Sequence, residues 1–433
     1  LSKVYIETYG CQMNEYDSEI VKSILTKHDY GIVGTPEEAD VIFLNTCSVR
    51  ENAHNKVHQR LTVLKQLRQK NKKLVMGVLG CMAQNLRKEL LEKKIGVDIV
   101  AGPDAYKKLP GMIDKVTGSG KKDFYLTLSE VETYSDVFPA PEGGVNAWLA
   151  VMRGCDNFCT FCVVPYTRGR ERSRDPHNIV EEVERLVAKG YKQVSLLGQN
   201  VNSYRFEDYD FADLMQMTSR VDGLERIRFT SPHPKDFPEK FLHVMAENPK
   251  VCSNIHLPLQ AGNNRVLEMM NRTYTREEFL ELVDTIRKIV PGVVLTTDVI
   301  VGFPTETEAE FLDTLDVMER VKFDAAFMFK YSERKQTIAS RKFPDDVTEA
   351  EKTSRITRLV AMQNLHSLER NRAHLNKTFD VLVEGKGKKP DQQLGRIDGN
   401  KIIVFPNINA PVGSFVKVKV NEVTSHTLIG ETL

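Results

Sequence analysis

The chain lacks an excess of either charge: 60 Lys and Arg stand against 59 Asp and Glu over 433 residues, a net +1 with histidine neutral. That excludes a globally basic nucleic-acid binder, so any basic surface has to be local. A run of about 20 apolar residues is also missing, which excludes a membrane-spanning helix. The start, Leu1-Ser-Lys-Val, has no signal-peptide layout. Cysteine is scarce and odd in number, with seven residues. That count fits metal binding in a reducing compartment better than a disulfide framework, so a cytoplasmic location is expected. A chain of this length is expected to hold about three domains, each with its own core.

Six of the cysteines fall into two triads, and Cys252 is left over as a structural residue. Cys155, Cys159 and Cys162 form a C-x3-C-x2-C run with Phe161 just before the last cysteine. Three thiolates on one short loop can hold three irons of a [4Fe–4S] cube and leave the fourth open to a small molecule. A structural zinc would need a fourth ligand, and the nearest downstream candidate is His177. The second triad, Cys11, Cys47 and Cys81, is scattered, yet each member follows a short apolar run. Such runs followed by polar stretches read as βα units of a parallel sheet. Sites in such sheets gather at the carboxyl ends of the strands, so the three can converge on a second cluster. Gly10 and Gly80, directly before two of them, permit close backbone approach.

Three segments follow in order. Residues 1–117 read as a small α/β domain, with a helix expected over about 84–94. Residues 141–372 repeat strand–helix units, which predicts a parallel barrel with its site at the carboxyl ends of the strands. Expected strands are 193–199, 226–231, 254–259, 293–302 and 324–329. Asp175-Pro176 opens one helix, and Thr348-x-x-Glu351 is a capping box for a long one carrying Ile356, Leu359, Met362 and Leu365. Residues 375–433 alternate in the manner of a small β-module, with Asp398-Gly399 as a turn.

Gly10-Cys-Gln-Met-Asn-Glu-Tyr-Asp-Ser-Glu19, Asn45-Thr-Cys-Ser-Val-Arg-Glu-Asn52 and Gly80-Cys-Met-Ala-Gln84 resemble the amino-terminal domain of the radical S-adenosylmethionine (SAM) methylthiotransferases. The loop from Gly154 to Arg174 resembles that family's radical SAM loop, and the likeness runs through the whole chain in one order. It implies an α/β fold of three parts: the amino-terminal parallel-sheet domain, an incomplete (β/α)6 radical SAM barrel, and a small β-barrel resembling a TRAM domain, a module tied to RNA binding. It further implies two [4Fe–4S] clusters and SAM, which serves as methyl donor and as source of a 5′-deoxyadenosyl radical. Resemblance and barrel position together make Gln199, Asn200, Ser231, Gln260 and Asp298 candidate SAM contacts, and place Phe161 near the adenine, with core packing as its other reading. Gly302-Phe-Pro-Thr-Glu306 resembles a loop near the SAM site. Asn14 and Asn45 have two open roles, bonding to the second cluster site or capping helices. The chain departs from the family at Lys335-Gln336, where Pro-Gly is usual, and at Ala261, where the family's Gln-Ser-Gly has its hydroxyl.

Basic residues are concentrated in two places. Residues 50–73 carry Arg50, Arg60, Arg68 and Lys72 among others, and Arg168, Arg170, Arg172 and Arg174 follow the barrel triad. With Lys417 and Lys419 on a carboxy-terminal strand, Arg60, Arg68, Lys72, Arg168 and Arg170 are expected to contact RNA phosphates. Cys11-Gln-Met-Asn14 and Val164-Pro-Tyr-Thr-Arg-Gly-Arg-Glu-Arg-Ser-Arg174 look most like the tRNA branch that methylthiolates C2 of N6-isopentenyladenosine beside the anticodon. N6-threonylcarbamoyladenosine in tRNA and a ribosomal protein are the alternative targets. An iron–sulfur RNA-binding protein is the non-enzymatic alternative. A monomer is expected, together with an electron donor and a sulfur source that the residues do not identify.

Overall fold

The computed structural model of the chain describes residues 2–48, 51–87, 89–92, 96–141 and 143–433. The first domain is one parallel sheet of six strands, in the order Gly31–Ile32, Lys3–Tyr9, Val41–Thr46, Val75–Leu79, Ile99–Ala101 and Asp123–Tyr125. The sixth strand carries this sheet past residue 117. Val41–Thr46 and Val75–Leu79 are buried on both faces, as apolar strands covered by helices on either side must be. In place of one helix over 84–94 there are two, Gly80–Leu86 and Glu89–Glu92. Arg87 at φ 50° ends the first, because a left-handed residue cannot continue a right-handed helix.

Six parallel strands build the second unit. Asn146–Ala150, Gln193–Leu197 and Arg226–Phe229 form one three-stranded sheet. Asn254–His256, Val294–Val301 and Ala325–Lys330 form another. A bridge from Ile227 to Val251 brings the two halves together. Among the described residues no pairing joins Asn146–Ala150 to Ala325–Lys330. The circle is therefore open along one seam, as an incomplete (β/α)6 barrel. Side chains alternate strictly: Ala147, Leu149, Val194, Leu196, Ile227 and Phe229 pack outward in the barrel's main core. Asn146, Gln193, Ser195, Arg228 and Asn254 face the other way and hydrogen-bond to one another.

The long helix runs Glu349–Arg372 with its capping box in place. Leu359 is buried and Ile356 and Met362 pack on the core, but Leu365 is 69% exposed. Polar residues take the inner face there: Gln363 donates to the Phe323 carbonyl and Ser367 to that of Asp324. This helix leads to a closed five-stranded barrel of Thr378–Lys386, Gln392–Arg396, Ile402–Pro406, Leu428–Thr432 and Phe415–Val423.

The turn at Asp398-Gly399 plugs the amino-terminal end of the open barrel. Arg228 donates to the carbonyls of Ile397 and Asp398 at 3.0 and 2.8 Å, and Ser253 donates its backbone N–H to the Asp398 carboxylate at 2.9 Å. A Cβ on Gly399 would come within 2.5 Å of Val294 Cγ2, so only glycine fits this close approach. Arg226 reaches the carbonyls of Arg396 and Asp380. Arg228→Ala is expected to cost about 3 kcal/mol in urea unfolding, because it strands buried carbonyls that now accept charged donors. Loss of under about 1 kcal/mol would mean that water replaces the guanidinium there.

Candidate active site

Both triads assemble at the carboxyl ends of strands, where the domains meet. Cys11 begins the helix Gln12–Lys27, Cys47 follows Val41–Thr46, and Cys81 lies in the first turn of Gly80–Leu86. Their closeness depends on glycine: a Cβ at Gly10 would run into Cys47, and one at Gly80 into Asn45. Asn14 and Asn45 serve the site. Asn14 Oδ1 accepts from Cys11 Sγ at 3.3 Å and its Nδ2 donates to Asn45 Oδ1 at 3.1 Å. Asn45 donates in turn to the Asn14 carbonyl and to Ser18. Hydrogen bonding from Cys47 pulls the Cys11 thiol down to about 6, against its burial and with help from Arg168. Burial raises the Cys81 thiol, and the nearby Arg168 opposes that.

The barrel triad lies on a loop held at many points. Cys155 N–H donates to the Gly169 carbonyl at 3.1 Å, and Gly154 N–H to Gln199 Oε1 at 2.6 Å. Asn271 donates to the carbonyls of Asn157 and Phe158, and Thr160 Oγ1 to that of Met269. Gly154 has φ 81°, and a Cβ there would collide with the Arg170 carbonyl. Arg272 is buried and donates to Cys159 Sγ at 3.3 Å. Burial pushes the thiols of Cys155 and Cys162 up to about 12. His177 is exposed at the start of Pro176–Ala188, edge-on to Tyr209, which is no position for a fourth zinc ligand.

One short segment touches both sites. Gly169 accepts from Cys155 of the barrel triad, while the preceding Arg168 lies beside Cys81 and Cys11. This corrects the reading of Arg168 as an RNA contact. It is 3% exposed and bonds Asp17 Oδ2 at 2.8 Å. Asp17 also takes Arg153 at 2.7 Å and the Tyr106 hydroxyl at 3.1 Å. Arg172 pairs with Asp104, and Arg174 with Glu182 and the Tyr16 hydroxyl, all buried. The arginine run is a clamp between domains. Only Arg170 faces solvent, over the Phe158 ring and beside Asp156. Tyr106 and Arg272 lie in no motif that marks them in the sequence, and Asp17 and Arg153 lie inside the cysteine motifs with nothing local to show that they pair.

The other expected residues divide. Lys72 and Lys417 are exposed and Lys419 is half-buried, while Lys417 pairs with Asp380 at the surface. Arg60 is tied to Glu7, and Arg68 to Asp98 and to the carbonyls of Leu74 and Gly96, within their own domain. Arg50 lies outside the described residues. Gln199, Asn200, Ser231 and Gln260 follow successive barrel strands, and Asp298 faces inward on the fifth. Ser231 and Gln260 hold left-handed backbones, φ 61° and 67°, a conformation concentrated at functional sites. Phe161 packs against the barrel core. Glu306 of the Gly302 loop accepts from Gly302 N–H and pairs with Arg355, so it fastens the long helix to the barrel rim. Gln336, at the departure from the expected Pro-Gly, has a left-handed φ of 75°, and its side chain reaches the Asn85 carbonyl at 3.1 Å. Ala261 is fully buried.

Both sites fit their implied groups. Each offers three cysteine thiols outside any disulfide with a buried guanidinium beside them, and among the described residues Arg168 Nη1 has no hydrogen-bond partner. Among the described residues no three His, Cys, Asp or Glu close around a single ion; a cube of irons needs its thiolates spread more widely. At the barrel's carboxyl end Asn200 Oδ1, Gln260 Oε1 and His233 Nε2 are buried without hydrogen-bond partners among the described residues, as sockets for a polar cofactor would be. No described helix is long and apolar enough to cross a membrane.

Family models match in three consecutive blocks: the uncharacterized protein family UPF0004 over residues 3–102, the Radical SAM superfamily over 149–318, and the TRAM domain over 372–433. The chain is 48% identical to a tRNA-2-methylthio-N(6)-dimethylallyladenosine synthase of Bacteroides thetaiotaomicron, covering 99% of this chain and 96% of that one. A protein of the same name from Chloroherpeton thalassium is 47% identical, over 100% and 96%. Among solved structures, the radical SAM methyltransferase TsrM of Kitasatospora setae, with cobalamin and a [4Fe–4S] cluster bound, superposes with a TM-score of 0.60 at 14% identity, over 78% of this chain and 77% of that one. The cobalamin-dependent radical enzyme OxsB gives 0.55 at 14% identity, over 83% and 56%. These two share the fold alone. Matched almost end to end by relatives at nearly half identity, the chain belongs to the family of tRNA-2-methylthio-N(6)-dimethylallyladenosine synthases.

Proposed function

We propose that this protein adds a methylthio group to C2 of N6-isopentenyladenosine next to the anticodon in tRNA. The observation that supports it most is the pair of triads linked through Arg168 and Gly169, which puts two reactive centres within one shared wall. Cys155, Cys159 and Cys162 would hold one [4Fe–4S] cluster with SAM, and Cys11, Cys47 and Cys81 a second. Bound there, these groups supply sulfur, a methyl group and a radical able to take hydrogen from an unactivated carbon. The chain's own residues do the positioning. Arg272 and Arg168 set positive charge beside the thiolates. Gln199 fixes the loop, and Asn200, Gln260, Ser231 and Asp298 line the carboxyl end for SAM, with Phe161 behind the loop. The clamp around Asp17 holds the two centres in register.

The target base leaves its stack and enters the open seam, since its C2 edge is otherwise out of reach. Lys72, Arg170, Lys417 and Lys419 are the proposed phosphate contacts, with Arg60 and Arg68 at the margin of the first domain. Each Lys→Ala change at Lys417 or Lys419 is expected to reduce the salt slope of tRNA binding by about one unit, read from affinities at several salt concentrations. An unchanged slope in both variants would remove this barrel from the RNA interface. Point variants are the cleaner probe, because removing the domain would uncover Arg226 and Arg228.

The deciding experiment reconstitutes the protein with iron, sulfide, SAM and reductant, supplies tRNA, and digests it for nucleoside mass analysis. The expected product is 2-methylthio-N6-isopentenyladenosine. The methylthio derivative of N6-threonylcarbamoyladenosine in its place would reassign the substrate.

A further inference from the structure

The sixth barrel strand, Ala325–Lys330, carries Phe327 and Phe329 at 54% and 44% exposure. Their alternation sets the direction. Ala326 and Met328 pack outward on the barrel core, so Ala325, Phe327 and Phe329 face the lumen. They are open because among the described residues no strand pairs on their far side, along the seam where the base is proposed to enter. Phe327 stands opposite Asp298 in the parallel register and Phe329 opposite Ile300. The Phe327 ring meets His256 edge-on at 5.8 Å, and His256 is itself tied to Asp298 at 3.2 Å and Thr296 at 2.9 Å. Two large apolar side chains exposed together inside a cleft mark a binding surface and not a packing fault.

We infer that Phe327 and Phe329 determine specificity, forming the apolar wall that takes the N6-isopentenyl substituent of the target adenosine; this rests on the function proposed above. The substituent is a branched, uncharged hydrocarbon, which suits two phenyl faces. The inward row of the last two strands, Thr296, Asp298, Ile300, Ala325, Phe327 and Phe329, has one charged side chain, and it is negative. The carboxylate of a threonylcarbamoyl group would meet Asp298 there with no cation in the row to receive it. The wall thus selects for one substituent and against the other.

The test compares wild type with Phe327→Ala, Phe329→Ala and the double variant on anticodon stem-loop RNA bearing N6-isopentenyladenosine, N6-threonylcarbamoyladenosine or plain adenosine. Both side chains are half exposed, so truncation leaves the fold intact, and Phe327→Leu serves as the conservative control. The double variant is expected to lose about 10- to 100-fold in kcat/KM on the isopentenylated RNA. Activity on plain RNA, KM for SAM and SAM cleavage without RNA should stay at wild-type levels. Phe327→Leu should restore most of the preference. An unchanged preference between the RNAs, or a raised KM for SAM, overturns this inference and leaves the proposed function standing. Wild-type product on threonylcarbamoylated RNA alone overturns both.

Discussion

Asp17→Ala is expected to cost about 3–5 kcal/mol and to loosen the amino-terminal domain from the barrel. Asp17 has no exposure and carries three partners, Arg153, Arg168 and Tyr106. Removing its carboxylate leaves two buried guanidiniums facing each other with no anion between them. Burial alone would raise the Asp17 carboxyl, but the two arginines outweigh it and hold it below the usual range. The sign of the pH dependence follows: the pair stabilises above the unfolded carboxyl's pKa of about 3.9 and is lost as pH falls through the lower folded value. Guanidinium unfolding followed with a probe in each domain should show the first domain melting ahead of the barrel in Asp17→Ala, and Asp17→Asn should fall between. A loss under about 1 kcal/mol, with both domains still unfolding together, would mean that water reaches the arginines. The variant also frees Arg168 from its place beside Cys81, so sulfur transfer should suffer more than SAM cleavage.

This clamp shows where the sequence stops being legible. The grouping of six cysteines into two triads could be read because three share one short loop and three each follow an apolar run, a pattern that survives in one dimension. The barrel could be read because strand and helix periods alternate cleanly from Gln193 onward. Its first strand, Asn146–Ala150, escaped: Asn146 and Trp148 break the apolar run, and Gly143-Gly144 before it reads as a linker. The arginines after Cys162 were legible as charge but not as buried charge. Arg168 finds Asp17 at a separation of 151 residues, and no local pattern announces that partner. Arg226 and Arg228 are a second case, since their acceptors are carbonyls of the carboxy-terminal barrel. The phenylalanines at 327 and 329 look like ordinary strand residues until the open seam leaves them bare.

Changing Cys155, Cys159 and Cys162 together to Ala should remove about half the iron and sulfide and all SAM cleavage. The loop should keep its shape, because main-chain groups, Asn271, Thr160 and Gln199 hold it besides the contacts that Arg272 and the Val164 N–H make to two of the thiols. Cys47→Ala should behave oppositely. Cys47 lies outside the barrel, next to Cys11 and against Gly10, and its loss strips the second site of one of three ligands. The variant should still cleave SAM under reducing conditions and yield no methylthio product. The pair of variants separates the two centres by independent readouts: iron content, 5′-deoxyadenosine formation and product mass. Complete loss of iron from the folded triple variant would mean that the triads share one centre. Wild-type product from Cys47→Ala, with its second cluster gone, would move sulfur delivery away from the first domain.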